Sequence, residues 1–214
     1  MDAGNHGETK LSNTLLNEDQ QHAEKMRRRK ASYDERKAAA TQAKGLIIVN
    51  TGSGKGKTSA ALGLIFRALG HGLKVGVVQF TKGAIETGEA AFAKELGSRV
   101  HFFTLGEGYT WETQNRQRDI QVAARAWEQA RTLLEHPEYQ LVILDELNIA
   151  LKYDYVSLEE VLNTLRNKRS DLHVVITGRN AKEELIELAD LVTDMKLIKH
   201  PYKSGIKAQK GIEF

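Results

Sequence analysis

The sequence predicts an α/β fold, a mostly parallel sheet covered by helices on both faces, with a helical arm in front of it. Three observations carry that expectation. Apolar runs of strand length recur along the chain, such as Leu46-Ile47-Ile48-Val49 and Leu141-Val142-Ile143-Leu144. Runs that are apolar throughout suit parallel strands buried on both faces. Segments of helical character separate them, and strands alternating with helices build a parallel sheet. The third observation is Asn50-Thr51-Gly52-Ser53-Gly54-Lys55-Gly56-Lys57-Thr58, which follows the first run and precedes an Ala/Leu-rich segment. Strand, glycine-rich turn, helix is the order that a phosphate-binding loop needs.

Residues 1–17 are polar and read as a disordered tail. Residues 18–43 shift to Glu, Gln, Lys, Arg and Ala, which are good helix formers, with a basic cluster at Lys25, Arg27, Arg28, Arg29 and Lys30. This segment lacks an apolar stripe. It reads either as a solvated helix or as an arm that orders against a ligand or partner. The boundary falls near Lys44, dividing the chain into 1–44 and 45–214.

Residues 45–50 form the first strand. A helix over 57–68 follows, and Gly70-His71-Gly72 ends it as a glycine cap. Residues 73–80 are a second strand, 88–96 a short helix and 100–104 a third strand. Residues 105–114 form a glycine-punctuated loop carrying Tyr109 and Trp111. The next helix spans about 113–134, with Val122, Ala126, Ala130 and Leu133 on its apolar face, and His136-Pro137 stops it. Residues 140–144 are a fourth strand, ending in Asp145-Glu146. A helix over 157–166 opens on a capping box, Ser157 with Glu160. Residues 172–177 are a fifth strand, 181–189 a helix and 190–198 a final strand. The tail from His200 onward is irregular.

The loop's chemistry follows from its residue types. Gly52, Gly54 and Gly56 allow the backbone to approach an anion closely, and Ser53 and Lys55 complete the nucleotide-binding turn. Lys57 reaches the terminal phosphates, and the Thr58 hydroxyl ligates Mg²⁺ or Mn²⁺. The strict loop pattern has glycine where this chain has Thr51. The carboxylates of Asp145 and Glu146, at the C-terminal mouth of a buried strand, are the second half of a nucleotide site. One binds the metal directly and the other through water or a hydrogen bond; which is which stays open. Tyr109 and Trp111, set among glycines, suit a platform for a large flat ligand, or a cap on the sheet edge.

Composition narrows the class. The 214 residues carry a net charge of +3, too slight to argue for nucleic acid. There is no cysteine, which excludes disulfides, zinc–thiolate sites and iron–sulfur clusters. The N-terminus has no apolar signal region, and no apolar run approaches the roughly 20 residues of a membrane span. The expectation is a cytoplasmic protein away from the membrane. The histidines of residues 45–214, His71, His101, His136, His173 and His200, are scattered, with no metal spacing.

Several blocks together resemble one family: TGSGKGKTSAALG (51–63), KVGVVQFTKG (74–83), YTWETQNR (109–116), VILDELN (142–148), VVITGRN (174–180), ELADLVTDM (187–195) and the ending GIKAQKGIEF (205–214). They look like the P-loop type ATP:cob(I)alamin (corrinoid) adenosyltransferases of bacteria. The resemblance implies a P-loop fold of RecA-like architecture and a transferase. In that family reduced cobalt, Co(I), attacks C5′ of ATP and triphosphate leaves, giving adenosylcobalamin or a related adenosylcorrinoid. Tyr109 and Trp111 match positions that pack under the corrin ring and displace the lower axial ligand, which makes Co(II) easier to reduce. Some members have phenylalanine where this chain has Tyr109. Arg67 matches a family arginine at the nucleotide. The resemblance also implies a homodimer, a flavoprotein reductant and an N-terminal helix able to cover the corrinoid site.

Two other functions fit parts of the sequence. A RecA-like ATPase cleaving the γ-phosphate would use Glu146 to position water and Arg179 as a finger. A corrinoid or nucleotide carrier would need no turnover.

Overall fold

The computed structural model describes residues 7–81, 87–106 and 115–213. By contact density the chain separates into Met1–Ala43 and Lys44–Phe214.

The first unit is one helix, α1 (Gly7–Ala39). It starts well inside the stretch read as a disordered tail, and it is about 50 Å long at 1.5 Å per residue. Helix formers and paired charges carry it: Glu24 with Arg28 and Lys30 with Asp34, each four residues apart and one turn away. From residue 18 to 39 only Met26 is even half-buried, so over those residues the helix shows no apolar face.

The second unit is a six-stranded sheet of β1 (Ile47–Thr51), β2 (Val75–Gln79), β3 (Val100–Thr104), β4 (Leu141–Asp145), β5 (His173–Thr177) and β6 (Leu191–Asp194). The strand order is β3-β2-β4-β5-β1-β6 and every pairing is parallel. This is the expected α/β P-loop architecture, with β5 between the loop strand β1 and the carboxylate strand β4. Helices lie on both faces: α2 (Lys57–Gly70) and α3 (Gly88–Glu95) on one, α4 (Arg116–Glu135), α5 (Leu147–Lys152), α6 (Leu158–Arg166) and α7 (Glu183–Leu188) on the other.

Alternate residues of each strand feed two cores. Val75, Val77, Leu141, Ile143 and Val175 meet Ala61, Ile65 and Ala68 of α2. Val78, Val142, Leu144, Val174 and Ile176 meet Ala126, Trp127, Ala130 and Leu133 of α4, with Val161 and Leu165 of α6. Each such Val, Leu or Ile, when fully buried, contributes about 1.5–3 kcal/mol.

The glycine cap forms as expected. Gly72 takes φ 72°, its N–H reaches Leu69 O at 3.0 Å, and the Leu73 N–H reaches Ala68 O at 3.0 Å. Three expectations differ. Helix α5 was not legible, because six residues hold too few turns to show a period. The last strand is shorter than 190–198 and its residues are exposed, as befits a sheet edge. Ser157 caps α6 by accepting from the Glu160 N–H at 3.3 Å, but the Glu160 carboxylate accepts from Trp127 Nε1 at 2.9 Å rather than closing a capping box.

Candidate active site

Register builds the floor of the site. Gln79 on β2 lies opposite both Thr104 of β3 and Asp145 of β4, and Asn50 of β1 lies opposite Thr177 of β5. Leu144 is opposite Ile176, so Asp145 falls beside Thr177. A row of polar residues therefore crosses the C-terminal ends of five parallel strands. Its side chains are joined. Thr104 Oγ1 donates to Gln79 Oε1 at 3.2 Å, and Gln79 Nε2 donates to Asp145 Oδ2 at 3.0 Å. Thr177 Oγ1 donates to Asp145 Oδ1 at 2.7 Å and accepts the Glu146 N–H at 2.9 Å. Gln79, Asp145 and Thr177 are fully buried. Each oxygen of Asp145 is thus engaged from inside the fold. Burial of a carboxylate is costly unless it is satisfied in this way.

The phosphate loop sits beside this row. Thr51 ends β1 in extended conformation, and Gly52 takes the left-handed turn at φ 99°. That is why threonine is tolerated where the strict pattern has glycine. The Thr51 hydroxyl also accepts the Ala181 N–H at 3.2 Å, tying the loop strand to the turn after β5. Gly52 is required by space as well, since a Cβ there would lie 2.1 Å from Asp194 Oδ1 and 2.6 Å from the Met195 backbone. Gly56 turns again at φ 105° and opens α2 without a side-chain cap. The N-terminal amides of α2 and its dipole are available to an anion there.

Lys57 is buried and its Nζ donates to Gly52 O at 2.9 Å and Gly54 O at 2.6 Å. Burial pushes its pKa below the usual lysine value. Glu146 opposes that shift most strongly, Arg179 and Lys55 add to it, and Asp145 opposes it weakly. Lys57, Glu146, Arg179 and Asp145 are therefore one electrostatic group. Glu146 itself has φ 63°, a strained conformation for glutamate. Close by, Gly178 has φ 126°, and a Cβ there would lie 2.8 Å from Asn148 Cβ and 3.1 Å from Glu146 Oε2. Asn148 donates from Nδ2 to Gly178 O at 3.0 Å, while its buried Oδ1 has no donor among the described residues. The whole is an anion cradle next to carboxylate and hydroxyl oxygens, the donor set of a hard divalent cation with a polyphosphate.

A family model described as ATP:corrinoid adenosyltransferase BtuR/CobO/CobP matches residues 43–214. The chain belongs to the ATP:corrinoid adenosyltransferase family. It is 54% identical to a corrinoid adenosyltransferase of Sinorhizobium sp. over 199 residues, covering 92% of this chain and 93% of that one. The Pseudomonas aeruginosa enzyme of the same name is 54% identical over 196 residues, with 92% and 97% covered. That of Escherichia coli K12 is 42% identical over 196 residues, with 92% and 99% covered. Among solved structures, the RadB recombinase superposes with a TM-score of 0.42 at 17% identity, over 73% of this chain and 77% of that one.

For this adenosyltransferase the structure brings together Gly52, Ser53, Gly54, Lys55, Gly56, Lys57 and Thr58 on one turn, with Asp145 and Glu146 facing it across β5. It does not bring Arg67 there. Arg67 lies in the last turn of α2, exposed, about 15 Å of helix rise from Lys57. Tyr109 and Trp111 lie outside the described residues. Sequence reasoning missed Gln79, Thr177 and Asn148. Gln79 and Thr177 carried a readable signal, each being the polar residue that ends an apolar strand at the same mouth as Asp145. Asn148 carried none.

Proposed function

We propose that the chain transfers the 5′-deoxyadenosyl group of ATP to Co(I) of a reduced corrinoid and releases triphosphate, as a two-part protein with an arm over 1–44 and a catalytic domain over 45–214. The observation that carries the reading is the family match over residues 43–214. The Co(I) electron pair forms the cobalt–carbon bond, the C5′–O bond breaks, and triphosphate departs with that bond's pair. Cobalt is thereby oxidised from Co(I) to Co(III).

The chain's residues serve the leaving group. Charge develops on a polyphosphate, so fixed donors aimed at it lower the barrier. The amides of residues 52–58 and the Lys57 ammonium supply them. Lys57 now bonds the carbonyls of Gly52 and Gly54, so it is already folded into the loop it has to serve. Thr58 and Glu146 would hold Mg²⁺ or Mn²⁺, with Asp145 locked behind them by Gln79 and Thr177. When bound, the cation neutralises developing phosphate charge. A strong Co(I) nucleophile needs no general base, so the remaining tasks are positioning and exclusion of water.

Tyr109 and Trp111 are assigned to the corrin face, where they displace the lower axial ligand. The family resemblance supports this, as it supports a homodimer, a flavoprotein reductant and a cytoplasmic setting in which ATP is supplied. No described helix is long and apolar enough to cross a membrane.

The test is incubation with ATP, Mg²⁺ and chemically reduced cobalamin. Adenosylcobalamin and triphosphate are expected. Orthophosphate without a cobalt–carbon bond would sink the reading.

A further inference from the structure

The ending GIKAQKGIEF is among the most distinctive stretches of the chain, and the chemistry above leaves it without a task. The segment after β6 meets the phosphate loop at two places. Met195 N donates to Thr51 O at 2.9 Å, and Met195 O accepts from Gly54 N at 2.5 Å. The backbone is thus held on both sides of Gly52. Further on, Gly205 reverses the chain at φ 75°. Gln209 O then accepts from Ile212 N at 3.1 Å and Glu213 N at 2.9 Å, a turn that aims Glu213. The Glu213 carboxylate pairs with Lys55 Nζ.

Two features separate this pair from an ordinary surface contact. The Glu213 side chain is only 16% exposed, whereas residues 201–212 are exposed throughout. Glu213 is also the sole acid in a tail that carries Lys196, Lys199, Lys203, Lys207 and Lys210. A tail that only attracted a polyanion would have no use for a half-buried acid beside the phosphate loop. An acid there serves the loop lysine.

We propose that Glu213 is a positioning residue for the nucleotide. Through Lys55, and together with the two Met195 hydrogen bonds, it braces the loop so that its amides are ordered before ATP arrives. Order set in advance lowers the entropy lost on binding. The proposal rests on the reading that residues 52–58 hold the triphosphate.

The test uses the full chain carrying Glu213→Gln, with ATP saturation of adenosyl transfer to pre-reduced cobalamin and direct ATP binding as readouts. KM and Kd for ATP are expected to rise about fivefold, roughly 1 kcal/mol, with kcat within about twofold. Glu213→Asp should recover part of the loss. In a Lys55→Met background, Glu213→Gln should change KM by less than about 1.5-fold, because the two residues act as one unit. An unchanged or lowered KM, an equal effect in the Lys55→Met background, or a fall in kcat at constant KM overturns the brace. If Glu213→Gln does not fold, Lys55→Met alone decides: ATP affinity equal to that of the unmodified chain overturns it, and a fivefold weaker one supports it. Absence of adenosylcobalamin from the unmodified protein would overturn the transfer reading instead, while the ATP-binding measurement still judges the brace.

Discussion

Replacing Thr177 with valine removes one hydroxyl and keeps the shape of the side chain. That hydroxyl makes two hydrogen bonds, a buried one to Asp145 Oδ1 at 2.7 Å and a part-buried one from the Glu146 N–H at 2.9 Å. A buried group left without its partner costs about 1–3 kcal/mol, and bonds to a carboxylate lie at the upper end. The expected loss is about 3 kcal/mol, a large part of the roughly 5–15 kcal/mol that holds a domain together. For a chain of this size that is a fall of about 6–12 °C in Tm. Denaturant unfolding and thermal melting measure it. Asp145 and Glu146 lose their common anchor at the same time, so adenosyl transfer should fall about a hundredfold, the typical cost of misplacing a group by about 1 Å. Thr177→Ser restores the hydroxyl and should recover most of both. A Thr177→Val protein within about 0.5 kcal/mol of the unmodified chain, the range of ordinary surface changes, would refute the reasoning.

Other outcomes are expected from the same geometry. Burial pushes the pKa of Lys57 below the usual lysine value, and a bound triphosphate favours its charged form. ATP affinity should be flat below the folded-state pKa of Lys57 and weaken as pH rises through it, a loss that Lys57→Ala abolishes along with tight binding. The unfolded chain keeps that proton to higher pH, so this lysine makes unfolding free energy rise with pH across the same window. Gly52→Ala should remove ATP binding, since its Cβ would meet Asp194 Oδ1 and the Met195 backbone, and calorimetry against ATP is the check. Chelation of divalent cations should stop transfer while leaving the circular-dichroism spectrum unchanged, because the fold is held by its own cores. Trp111→Ala should spare transfer to pre-reduced Co(I) more than activity starting from Co(II); equal loss in both assays would remove the axial-ligand role.

Much of the fold was legible because the signals are local. Four apolar residues in a row can only be a strand buried on both faces or part of a buried helix, and glycines on either side decide between them. Segments without such signals were misread. Helix α5 is six residues long, and β6 has its polar and apolar residues alike exposed, so neither shows a period. The arm was read as starting near Glu18, whereas α1 starts at Gly7, because a solvated helix is held by propensity and charge pairs rather than by a pattern.

The sequence by itself determined the phosphate loop, its flanking strand and helix, and the Asp145-Glu146 strand end. In each, residue types a few positions apart impose the conformation. Only the tertiary structure decided what stands around them. Gln79 and Thr177 come from two separate strands, and only parallel register sets them on either side of Asp145, with Thr104 beyond Gln79. Glu213 is far from Lys55 in the chain, and only the return of the tail after β6 makes them partners. Neighbours along a chain are constrained by backbone geometry, which sequence reports directly. Neighbours across a sheet are chosen by the packing of the whole domain, and no single stretch records that choice.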